Sequence, residues 1–197
     1  CYVEVSSEKD ALSSILENAI WGYCTRLNVV RGQASATLVE QMSQRFDRAI
    51  MQGQEPILLH FGDLDASGVA IPKAIERSLR ERHGVEVEVR RVALNPEHVA
   101  KYNLPSDPEA IKPQDPNYKA WLREYGPGQA PVELDALHPR HLIDVLTEAL
   151  ESVYDMTDFD EQRVREVEER KVIRRVKIEV TDLLTARFPE IFRGARP

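Results

Sequence analysis

Asp63 and Asp65 lie two residues apart in the segment His60-Phe61-Gly62-Asp63-Leu64-Asp65-Ala66-Ser67-Gly68. Residues i and i+2 of an extended chain point the same way. The two carboxylates can therefore meet one cation. Hard divalent ions, Mg2+ above all, take oxygen ligands and keep several waters beside one or two carboxylates. Gly62 and Gly68 let the backbone turn tightly around the pair. A plainer reading stands beside this one: an Asx-rich turn in which Asp65 or Ser67 caps the helix that follows.

Positioning such a pair takes a strand before it and a helix after it. The apolar run Pro56-Ile57-Leu58-Leu59, bounded by Pro and Gly, reads as a buried strand. Apolar spacing and alternation predict strands over 2–5, 27–30, 57–61 and 85–92, and helices over 9–21, 34–51 and 69–82. Strand alternating with helix is the pattern of a Rossmann-like α/β fold with a mainly parallel four-stranded sheet. Right-handed crossovers bring the strand C-termini to one edge. Glu8, Arg31, Asp63 and Asp65 all follow those C-termini. Ligands of open α/β sheets bind at that edge.

Regularity fades after Val92. Between 102 and 131 stand Pro105, Pro108, Pro113, Pro116, Pro127 and Pro131, with Tyr118, Trp121 and Tyr125. This stretch reads as an ordered, irregular excursion with a short helix near 118–125. Residues 132–137 return to alternation; they either add Glu133 or Asp135 to the metal region or form a plain edge strand. His138-Pro139 then opens a helix to about 153. A long charged helix is expected over 159–188, with its apolar residues on one face. That face either packs on the sheet or docks a partner or second copy. The division is 1–100 core, 101–153 completion of the domain and 154–197 helical extension.

The net charge of −7 argues against a surface broadly dedicated to phosphates. It leaves room for an enzyme whose carboxylates hold metal. No apolar run nears the length needed to span a bilayer, and no signal-peptide pattern opens the chain. Cys1 and Cys24 make no disulfide framework, so a cytoplasmic, reducing location is expected. Cys24 reads as a small buried hydrophobe and His60 as a hydrogen-bonded core residue. The chain begins in strand-like sequence at Cys1, which suggests a fragment with a domain upstream.

Glu8-Lys9-Asp10-Ala11-Leu12, Arg31-Gly32-Gln33 and Gly62-Asp63-Leu64-Asp65-Ala66-Ser67-Gly68 follow the first three strands in turn. In that order and spacing they resemble the Toprim domain of topoisomerases, DnaG-type primases and several nucleases. The resemblance is closest to the branch of the topoisomerase VI A subunit and Spo11, and Val132-Glu133-Leu134-Asp135-Ala136-Leu137 is similar to a late segment of that branch. It covers roughly residues 2–153. It implies that Asp63 and Asp65 hold Mg2+, with Mn2+ as substitute, that Glu8 completes the metal site or serves as general acid/base, and that Lys9 and Arg31 contact phosphate. Glu4 is the rival to Glu8, but it lies within the strand rather than at its end. The implied substrate is DNA, cleaved and rejoined. The implied partner is an upstream winged-helix domain carrying the attacking tyrosine, or a separate subunit, and a homodimer is an option. The alternatives are a stand-alone nuclease, similar to the OLD or ribonuclease M5 types, and a non-catalytic assembly module using the last helix.

Overall fold

β-branched and aliphatic residues concentrate where the sheet is most enclosed. Val3, Val5, Leu58 and Leu59 are all buried, on strands that each have two neighbours. The computed structural model describes residues 1–30 and 34–188. Within them the chain forms two compact units, divided between Val153 and Tyr154.

In the first unit four parallel strands run in the order β2-β1-β3-β4, with β1 Tyr2–Ser7, β2 Arg26–Val29, β3 Pro56–Phe61 and β4 Glu88–Ala93. Helices α1 (Ser13–Ile20), α2 (Ala36–Met51) and α3 (Ala66–His83) make the crossovers, as the alternation predicts. From β1 the chain first steps outward to β2 and then returns past β1 to β3. The strand order thus reverses between β1 and β3, and a crevice opens there beyond their carboxyl ends.

Helices cover both faces. Val39, Met42 and Phe46 of α2 and Ile71, Ile75 and Leu79 of α3 close on Leu58 to form one core. Across the sheet α6 (Pro139–Glu151) packs on α1 and β4 through Leu142, Val145, Leu146 and Leu150. Two short helices, α4 (Pro96–Tyr102) and α5 (Tyr118–Tyr125), punctuate the proline-rich stretch, and Trp121 of α5 is buried.

Several expectations need correction. Strand β4 pairs only from Glu88; Val85 and Val87 are buried in the helical core before pairing starts. Residues 132–137 are no strand: Val132 makes one antiparallel bridge to Leu64, and Leu134–Ala136 is a 3-10 turn. Cys24 is exposed in a left-handed turn (φ 51°), where it ends the helical segment before β2.

The second unit is α7 (Met156–Arg187). No single apolar face runs its length. At 3.6 residues per turn, Val172, Ile173, Val176, Val180, Leu183 and Leu184 share one side, while Val164, Val167 and Ile178 point elsewhere. No helix among the described residues is long and apolar enough to cross a membrane.

Candidate functional site

Register builds the site. Ser7 pairs with Phe61, and Glu8 N–H continues the ladder by donating to the Phe61 carbonyl at 2.9 Å. Glu8 therefore leaves β1 beside Gly62, where β3 turns into the aspartate loop. Its Oε2 accepts the Asp63 N–H at 3.1 Å. The two segments, 55 residues apart in sequence, are thus tied at the reversal point between β1 and β3.

Each aspartate has its own anchor. Asp63 Oδ1 accepts the Leu134 N–H at 2.7 Å, and its Oδ2 lies 3.2 Å from Lys9 Nζ. Asp65 is the N-cap of α3, its Oδ1 accepting the Gly68 N–H at 2.7 Å. The capping role weighed for Asp65 is therefore filled. Among the described residues Glu8 Oε1 and Asp65 Oδ2 accept no hydrogen bond.

The cluster carries electrostatic tension. Burial, with the Asp63 and Asp65 charges added, pushes Glu8 up to about 7. Burial likewise raises Asp63, against the Leu134 N–H and the Lys9 ammonium. Lys9 bridges Asp63 and Glu133, at 3.2 and 3.1 Å. Burial would lower its pKa, but those acidic partners hold it above the usual lysine range. Arg31 lies outside the described residues.

Glycines make the approach possible. A Cβ at Gly68 would collide with the Asp63 carbonyl oxygen and lie 3.0 Å from Glu8 Oε2. At Gly62 a Cβ would stand 2.8 Å from His60 Nε2 and 3.0 Å from Glu8 Oε2. His60 is fully buried; its Nδ1 pairs with Ser6 Oγ at 2.9 Å, while its Nε2 has no partner. Burial, helped by the Arg91 charge, pushes its pKa down to about 3, so the ring is neutral.

Glu4, the rival, is spoken for. Its buried carboxylate accepts from Arg45 Nε and Nη2 at 2.6 and 2.8 Å, Asn28 Nδ2 at 2.7 Å and the Tyr2 hydroxyl at 2.8 Å. A buried charge so satisfied is a structural pair.

Sequence reasoning missed Arg91. Its guanidinium donates to the carbonyls of Gly62, Asp63, Gly68 and Leu94, at 3.2, 2.6, 2.9 and 2.8 Å from the nearest nitrogens. One of these contacts left a trace in the sequence. Pro72 has no N–H for the Gly68 carbonyl four residues back. Arg91 fills that vacancy and so fastens β4 to the aspartate loop.

Among the described residues no three His, Cys, Asp or Glu side chains converge tightly enough to cage an ion. The donor set nevertheless fits a hard cation held partly through water: carboxylates with free oxygens, mutual repulsion and glycines leaving space. A hollow of about 690 Å3 between α2, α3 and α5 adjoins the loop at Ala66 and Ser67, with Lys73, Arg77 and Arg82 in its wall.

The chain matches no protein-family model and no curated protein.

Proposed function

We propose that this chain is a Toprim-type catalytic domain that acts on DNA phosphodiesters with Mg2+, or Mn2+ in its place. One observation carries the reading: Glu8 and the Asp63–Asp65 loop meet at the strand-order reversal, where α/β sheets bind ligands. Asp63, Asp65 and Glu8 would hold the ion. Bound there, the ion would neutralise charge developing on the phosphoryl oxygens. Glu8 sits near neutrality in pKa, so it can hold or release a proton at the leaving oxygen. Lys9 opposes the rise that burial imposes on Asp63. Arg77 and Arg82, further along α3 in the wall of the adjoining hollow, offer positive charge to a phosphate backbone on an otherwise acidic chain, while Lys73 is paired with Glu124. Arg31 remains a phosphate contact by resemblance alone. The free, exposed cysteines suit a reducing cytoplasm.

Tyr2 favours hydrolysis as the reading for this chain acting alone. Its hydroxyl donates to buried Glu4, and burial together with the Glu4 charge pushes its pKa up to about 12. It is held away from nucleophilic work, which favours water as the attacking group. Rejoining chemistry would need a tyrosine from another domain or subunit.

The test is Mn2+ titration followed by electron paramagnetic resonance, comparing wild type with Asp63→Asn, Asp65→Asn and Glu8→Gln. Each substitution is expected to weaken binding at least about tenfold. Equal affinity in all four proteins overturns the metal assignment. Metal-dependent nicking of supercoiled DNA by the chain alone then separates hydrolysis from a tyrosine-dependent reaction.

A further inference from the structure

Among the described residues of its own unit, the apolar side of α7 has no cover. Val172, Ile173, Val176, Val180, Leu183 and Leu184 are 43–69% exposed. A sustained apolar stripe on a long helix is the mark of a helix that pairs. The central four, Ile173, Val176, Val180 and Leu183, keep the 3-4-3 spacing of a coiled-coil seam. One further step in each direction gives Glu169 and Arg187.

This pattern reads the same in both directions from Ile178. An antiparallel copy centred there places Ile173 opposite Leu183 and Val176 opposite Val180, with Val172 and Leu184 flanking the seam on its two rims. It also places Glu169 opposite Arg187 at both ends of the seam. Neither of these has an ion pair among the described residues, whereas nearby Glu166 and Glu168 are matched with Arg170 and Lys171. Lys177 and Glu179 face their own copies across the rims, where solvent screens like charges. A parallel pair would instead set Glu169 against Glu169 and Arg187 against Arg187. The seam is self-complementary only in the antiparallel sense, as a two-fold interface requires.

We propose that α7 binds α7 of a second copy, antiparallel, with the two-fold axis at Ile178 and Glu169–Arg187 pairs closing each end. The inference is independent of the metal reading, since it uses no residue of the acidic edge. Sedimentation velocity on the full chain tests it with E169R, R187E and the double variant E169R/R187E. Both positions changed are exposed, and far-UV circular dichroism verifies that the helix persists. Wild type is expected to be a dimer. Each single reversal is expected to raise the dissociation constant about tenfold or more, and the double swap to return it to within about threefold of wild type. A wild-type monomer at about 100 µM, single reversals without effect, or a double variant as weak as the singles each overturns the proposal.

Discussion

Lys9 Nζ stands 3.2 Å from Asp63 Oδ2, so the ammonium already partly neutralises the carboxylate that the proposed cation would use. The two positive charges then compete for one oxygen. Lys9→Met is expected to lower metal-free stability by about 1–2 kcal/mol, because it strands a largely buried carboxylate. It is also expected to tighten Mn2+ binding several-fold, roughly 3- to 10-fold. Urea melts and calorimetric titration measure the two effects. Unchanged affinity would show that Lys9 and the ion do not share Asp63.

Glu8 gives the fold a pH dependence of definite sign. Its folded pKa, about 7, lies above the ordinary carboxylic value of 4.5. Between those values the folded chain keeps a proton that the unfolded chain has lost. Stability therefore falls as pH rises through that window and levels off above it. Glu8→Gln should match wild type near pH 4 and melt about 2–4 °C higher near pH 8. Parallel melting curves across the range would refute the burial of an ionisable Glu8. The same proton links pH to metal, so wild-type Mn2+ affinity should rise as pH climbs towards 7 and then flatten.

Gly68 is a matter of space rather than of backbone angle. A methyl group there meets the Asp63 carbonyl oxygen, a backbone atom that cannot step aside alone. Gly68→Ala should cost about 2–4 kcal/mol in chemical denaturation. Gly22, whose added Cβ meets nothing within 4 Å, is the control: Gly22→Ala should stay within about 1 kcal/mol.

Arg91 donates to four carbonyls, of which that of Gly62 also accepts the Leu94 N–H. Arg91→Met keeps much of the side-chain volume and removes every donor. The expected loss is about 3 kcal/mol or more, with the aspartate loop loosened before the sheet. Hydrogen exchange at the Asp63 and Gly68 amides should accelerate ahead of Leu58 and Leu59. Uniform exchange across all four would assign Arg91 to global stability alone.

Much of this architecture could be read from residue order. Alternation in β1 and the apolar run of β3 are local signals, and the edge rule then preferred Glu8 to Glu4 without coordinates. Arg45, 41 residues from Glu4, engages that rival carboxylate. What escaped was long-range or averaged. Arg91 looked like one more charge in an alternating strand, because its four acceptors belong to a loop 23–29 residues earlier or to its own turn. The Leu134 N–H on Asp63 came from a segment read as an edge strand. Cys24 was judged by residue type, though a left-handed turn sets its exposure. In α7 the apolar residues were read as one face, but Val164, Val167 and Ile178 lie off the stripe that the others share.

The outer strands of the sheet carry a last consequence. β2 is only four residues long, and β4 opens with Glu88 and Arg90, exposed and paired with each other. Short length and charge at a border discourage the stacking of sheets from different molecules. The sheet borders thereby resist uncontrolled strand addition, a form of association that has no natural end.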